Sequence, residues 1–328
     1  MKINKIPSPT WRWLKMNFSD VSLNEPKDEK GTGDKARKMD RIAEIPTGLG
    51  EEAAAFFAMG DISVISDCDK SLGYEITGEP QAHTVVISVP DNRQATVVMT
   101  VTGDGEGTLG LRTIYAVGKG AKLNLVQVIM GGKKSVVLND LGGAVDDGGR
   151  FVLQQIFLDG AAIYAGDYTY LHGERSSFDC DIAYRCVGDG ELDMNYTADH
   201  TGKKSDCNIR VNGVLFDRSQ KIFRGTIDFK RGCAGAKGAE IEDVLLMDEE
   251  VRNRTIPVIL CKEEDVEGAH GASIGRLDED LMFYLQSRGV CRDDIYAMMA
   301  NARIDALRRR LLDKDAAGLV ADKLKIEE

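Results

Sequence analysis

The chain has 328 residues, with 42 Lys and Arg against 53 Asp and Glu, for a formal net charge of −11. That length fits two domains of roughly 150 residues or one large one, and no apolar run approaches the roughly 18 residues of a membrane span. The acidic balance argues against phosphate-backbone binding, which needs clustered Lys and Arg, so neither nucleic acid nor membrane is an expected partner.

Taken in chain order, Met1 to Pro7 offers no apolar stretch of a secretory signal, and the expected location is the cytoplasm. Pro7-Ser8-Pro9-Thr10-Trp11-Arg12-Trp13-Leu14 holds both tryptophans, which points to an N-terminal arm that docks. Glu25 to Arg41 is dense in balanced charge and reads as a mobile surface segment. Gly48 to Met59, with Glu51 and Glu52 ahead of Ala53-Ala54-Ala55-Phe56-Phe57, predicts one short helix.

From about Asp61 to Val266 the pattern becomes short β-type runs broken by glycine. Lys122–Met130, Arg150–Leu158, Ala161–Tyr170 and Lys221–Phe229 read as strands, the last with Phe223, Gly225, Ile227 and Phe229 alternating. Of the 35 glycines, 23 fall between Gly103 and Gly238, while no proline occurs from Asp91 to Ile256. Glycine permits tight corners, and proline would remove ladder bonds from interior strands. Sandwich, barrel and β-helix all satisfy this pattern; a βαβ architecture does not.

In the tail, Asp278 caps a helix that begins Glu279-Asp280 and stops at Gly289. A second helix is expected from about Arg292, with Ile295, Met298, Met299, Ala302 and Ala306 as its apolar stripe opposite a basic face ending at Arg308-Arg309-Arg310.

Motifs for catalysis are absent. Gly105-Glu106-Gly107-Thr108-Leu109-Gly110 fits GxGxxG, but β-type residues follow where a dinucleotide site needs a helix. There is no GxxxxGK[ST], so the chain binds no nucleotide through a P-loop, and neither GxSxG nor HExxH occurs. The seven cysteines are scattered without a CxxC pair, as expected of free thiols. His172 and His200 lie in polar turns and read as solvated loop residues. His270 lies among small residues downstream of Cys261, where imidazole and thiolate suit iron.

The run Val266 to Gly289, VEGAHGASIGRLDEDLMFYLQSRG, resembles the C-terminal signature of the SufB/SufD family, scaffold proteins of the SUF iron–sulfur cluster assembly system. Val211-Asn212-Gly213-Val214-Leu215, Phe223-Arg224-Gly225-Thr226-Ile227, Gly235-Ala236-Lys237-Gly238 before Val244-Leu245-Leu246, and Pro7-Ser8-Pro9-Thr10-Trp11 extend the likeness. The resemblance implies a mainly β fold: a right-handed parallel β-helix, or solenoid, over residues 61–276, after an N-terminal arm, charged segment and short helix at 1–60 and before C-terminal α-helices at 277–328. It implies pairing with a SufB-like paralogue or a second copy of the chain, and docking of a SufC-type ABC ATPase through the region of Phe283, Tyr284 and Arg288. It also implies an iron–sulfur cluster or iron held transiently, shared across a subunit interface, with His270 as the family position and Cys261 as a nearby thiol. Ala269 and Gly271 stand where SufB-type members carry glutamates, and Glu240-Ile241-Glu242-Asp243 stands where they carry an acceptor cysteine, so the chain is SufD-like. A non-enzymatic scaffold is the expected function. A stand-alone β-helical enzyme for an extended acidic or carbohydrate ligand, and a self-sufficient homodimeric iron-binding scaffold, are the alternatives.

Overall fold

The computed structural model describes residues 1–8, 14–23, 46–58, 60–159 and 161–326. Trp11, Trp13, the charged segment from Glu25 to Arg41, and Met59 lie outside the described residues. Two eight-stranded parallel sheets face each other. Sheet I takes, in order, Asp61–Ser66, Gln81–Val89, Gly107–Val117, Ser135–Val145, Ala162–Leu171, Glu191–His200, Gln220–Phe229 and Arg252–Cys261. Sheet II takes Lys70–Glu75, Gln94–Thr102, Lys122–Met130, Arg150–Leu158, Ser177–Cys186, Asp206–Leu215, Ala236–Leu246 and Val266–Gly275. The chain alternates between them, and each strand pairs with the one a full coil away. Paired side chains such as Arg112 and Asp140 are therefore 28 residues apart. This is the β-solenoid the family resemblance implied, and the strand after Gly107 removes the context a dinucleotide site would need.

Inward side chains fill the space between the sheets. Val97, Leu109, Leu111, Leu125, Leu153, Ile182, Ile209 and Phe223 are fully buried. The rings of Tyr115, Phe151 and Phe178 stack from coil to coil with centroids 4.1 and 5.3 Å apart. Polar interior groups pair with one another: Gln127 accepts from Asn139 (2.8 Å) and Gln155 (2.7 Å), and Tyr115 donates to Asp167 (3.1 Å).

Corners between a sheet I strand and the next sheet II strand share one device. Asn92, Gly120, Gly148, Arg175, Lys204 and Gly235 all adopt positive φ, between 56° and 77°. Their N–H groups donate in turn to Lys119, Asp147, Glu174, Lys203, Ala234 and Asp265 in the next corner. Glycine takes that conformation freely, whereas Arg175 and Lys204 hold it against steric cost because the ladder fixes it.

Both outer faces are covered. Ile3, Val21, Leu49, Phe56 and Phe57 of the N-terminal segments pack on Ala82, Leu138 and Tyr164 of sheet I. Arg224, buried in sheet I, donates to the Met16 carbonyl (2.8 Å) and Ser19 Oγ (3.2 Å) and pairs with Asp193. The predicted short helix is a 3-10 turn, Glu51–Ala53, continued by an α-turn, Ala54–Ala58. On sheet II, the helices Arg292–Arg308 and Lys314–Leu324 lay Ile304, Leu307, Ala316, Val320 and Leu324 on Val98, Val126, Val128, Met130, Ile156 and Leu158. Burial on both faces explains why Lys122–Met130 reads as an apolar run rather than an alternation.

Two expectations change. The buried stripe of the Arg292–Arg308 helix is Ile295, Ala300, Ile304 and Leu307; Met298, Ala302 and Ala306 are exposed, because the helix is turned so that Arg303 meets Asp243 at 2.6 Å. His200 is no loop residue. It ends a sheet I strand fully buried, its Nδ1 is 2.8 Å from Ser205 Oγ, its ring lies 4.9 Å from Phe229, and burial pushes its pKa down to about 4.

Candidate functional site

Among the described residues, the last coil has no strand or helix laid on its outer edge. From Glu267 to Gly275 every residue of the final sheet II strand is exposed, and among the described residues one row of its backbone N–H and C=O groups has no neighbouring strand. His270 sits at the middle of that edge. Its register partner in the coil beneath is Glu240. Period-two geometry puts Glu240 and Glu242 on one face of the Ala236–Leu246 strand, and both are buried.

Opposite them, sheet I contributes Lys221 and Thr255. Lys221 and Glu242 form an ion pair with neither side chain exposed. The same ammonium donates to Thr255 Oγ1 (3.2 Å) and the Arg254 carbonyl (3.3 Å), while Thr255 Oγ1 donates to Glu242 at 2.5 Å. Burial pushes Lys221 down from the usual lysine range, against the pull of Glu242. Glu240 has no such partner among the described residues: burial, reinforced by Glu242 and opposed by Lys221, pushes its carboxyl up to about 8. The floor beneath His270 therefore holds a paired Glu242 and, at neutral pH, a protonated Glu240. Gly225 makes room for it, since a Cβ there would lie 1.9 Å from Glu240 Oε2.

Cys261 belongs to another part of the same rim. Gly268 lies against Ile259 across the sheets, so Cys261 and His270 fall four residues of strand apart, roughly 13 Å along the rim. The exposed Cys261 gives its thiol hydrogen to the Glu263 carbonyl (3.0 Å), and Cys233 beneath is buried, its pKa pushed up to about 11. The structure does not bring Cys261 and His270 into one ligand set. Among the described residues no group of three or more His, Cys, Asp or Glu side chains is placed to hold a metal ion.

Beyond the rim, Asp278 caps the Glu279–Ser287 helix by accepting from Leu281 N at 2.9 Å. None of this helix's residues is fully buried; Met282 and Leu285 are half-buried. Phe283 is 74% exposed and Tyr284 53%, and the Arg288 guanidinium lies 5.2 Å from the Tyr284 ring centroid, so the three residues of the expected docking region form one surface patch.

Lys221, Glu240, Glu242 and Thr255 escape a reading of the sequence for sites. Their signal is local, a lysine opening a strand and a Glu-x-Glu pair within one, and only the coiling places them under His270.

Residues 73–303 match the family model described as SUF system FeS cluster assembly, SufBD core domain. The iron-sulfur cluster assembly protein SufD of Bacillus subtilis (strain 168) is 35% identical over 121 residues, 35% of this chain and 28% of that protein. SufD of Escherichia coli (strain K12) is 28% identical over 159 residues, 48% of this chain and 37% of that protein. An iron-sulfur cluster assembly SufBD family protein of Mycobacterium leprae (strain TN) is 28% identical over 112 residues, 34% of this chain and 13% of that protein. The chain thus spans well under half the length of these relatives. The family match takes in the whole solenoid from Gly73 onward, including the rim and His270, and on that ground the chain belongs to the SufBD family and is SufD-like.

Proposed function

We propose that the chain is a scaffold subunit of a cytoplasmic SUF iron–sulfur cluster assembly complex rather than an enzyme. The open solenoid end pairs with a SufB/SufD-type subunit, and the Phe283, Tyr284 and Arg288 patch docks a SufC-type ABC ATPase, which supplies the nucleotide chemistry this chain lacks. Iron or a nascent cluster is cargo, met at the pairing surface by the exposed His270. Cys261 is a separate thiol on the same rim, available to a partner from its own end of the strand.

The observation that carries this reading is the uncapped last coil. Solenoids need their terminal faces covered, and this one ends on a ten-residue edge with an imidazole at its centre. Co-purification with a SufC-type ATPase tests the docking claim. Phe283→Ala with Tyr284→Ala should abolish ATPase capture while leaving the fold intact, because neither ring is buried. Undiminished capture would reject the patch. Anaerobic iron loading of the assembled complex, with and without His270→Ala, tests the ligand: equal iron content in both would remove His270 from the cargo site.

A further inference from the structure

We propose that the outer face of sheet I holds a binding site for one phosphate-type oxyanion, which bridges Lys15 of the N-terminal arm to Arg252 and Arg254 of the last coil. The site is separate from the His270 rim, which belongs to sheet II, and it depends on neither the iron cargo nor the ATPase.

The strand register brings these cations together. Lys221 points inward to Glu242 of sheet II, so Gln220 and Ile222 beside it point outward, as Arg224 does. Gln220 lies opposite Arg252 and Ile222 opposite Arg254, which sets both arginines on the outer face, two residues and roughly 7 Å apart. Both are exposed. The arm arrives from the other side: Arg224 holds the Met16 carbonyl and Ser19 Oγ, and the backbone turns at the exposed Lys15 with φ of 55°. Between arm and sheet lies a cavity of about 60 Å³, lined by Lys15, Arg224, Arg252 and Arg254 among others.

Charge around this cavity does not balance. Arg224 is committed to Asp193, which also accepts from Asn4 and Ser19. Glu191 lines the cavity as well, but its carboxyl already accepts from Gln220 and Tyr164, and burial, reinforced by Asp193, pushes its pKa up against the pull of Arg254. Lys15, Arg252 and Arg254 have no carboxylate within ion-pair distance among the described residues. Three such cations about one small cavity repel each other, and a bound anion relieves that repulsion. The cavity is far below the roughly 300 Å³ of a drug-sized ligand, so only a small ion or a terminal group can enter. A planar carboxylate fills one guanidinium fork, whereas a tetrahedral phosphate turns oxygens toward two forks and an ammonium at once.

Calorimetric titration of the full chain with sodium phosphate, at ionic strength held by sodium chloride, should show one saturable site. Arg252→Ser with Arg254→Ser should weaken it at least about tenfold, and sodium acetate should bind the parent at least about tenfold more weakly than phosphate. All three cations are exposed, so thermal unfolding of the double variant in chloride should match the parent. Phosphate should slow hydrogen exchange over residues 14–23 at least about threefold in the parent and leave it unchanged in Lys15→Ser, because the ligand ties the arm to the last coil. Glycerol phosphate binding as tightly as phosphate supports a phosphoryl group carried by a larger molecule; rejection of the ester supports the free ion. Absence of a saturable site, or equal phosphate affinity in the double variant, overturns the proposal. Acetate binding as tightly as phosphate overturns the tetrahedral ligand, and unchanged exchange in the parent overturns the bridge.

Discussion

His270 and Glu240 stand side by side on adjacent strands, one in the open coil and the other in the buried coil beneath it. Glu240 holds its proton up to about pH 8 in the fold, against an ordinary glutamate value of 4.5. Between those values the folded protein binds a proton that the unfolded chain releases, so this group's contribution to stability falls as pH rises from about 4.5 to 8 and is then constant. Glu240→Gln keeps the shape without the charge. Urea denaturation should show the variant's stability relative to the parent rising by on the order of 2–3 kcal/mol between pH 6 and pH 9. Parallel pH profiles would refute this account of the site floor.

The Lys221 and Glu242 pair makes the opposite point about burial. Removing one partner leaves an uncompensated charge, so Lys221→Met should cost about 3–5 kcal/mol in equilibrium unfolding. Combining it with Glu242→Gln should recover most of the loss, since the orphaned carboxylate is gone. Additive losses in the double variant would show that the two groups do not act as a pair.

His200 controls the acid side. Its folded pKa of about 4 lies below the ordinary 6.5, so the unfolded chain takes up the proton first. Stability is fully present above about pH 6.5 and lost as pH falls toward 4. Acid denaturation should therefore weaken by up to about 3 kcal/mol in His200→Asn relative to the parent. An unchanged acid limb would assign the transition to other groups.

Arg224 fastens the N-terminal arm through Asp193, Ser19 and the Met16 carbonyl. Arg224→Met should destabilise by about 3–5 kcal/mol by stranding Asp193. Hydrogen exchange over residues 14–23 should speed up more than over the solenoid strands. Uniform acceleration throughout the chain would mean that the arm is not a separately tethered unit.

Much of this fold was legible in the sequence. Strands at Lys122–Met130 and Arg150–Leu158 form with the expected bounds, and the Asp278 cap with the stop at Gly289 frames the helix as read. The coil, 26 residues long from Val136 to Ala162 and 31 from Asp206 to Lys237, was not legible from the residues themselves. Its corners place Asn, Gly, Arg and Lys at one equivalent left-handed position, so glycine marks only some of them. The buried stripe of the Arg292–Arg308 helix differs from the apolar one because Met298 and Ala302 face outward, a choice made by the sheet beneath.

The sequence by itself determined the class of fold, the helical tail and the family, because those depend on local pattern and on a continuous motif. Tertiary structure alone decided what surrounds His270. Coiling brought Lys221, Glu240, Glu242 and Thr255 together, and placed Cys261 farther along the rim. Proximity across a coil depends on register, which no local stretch encodes.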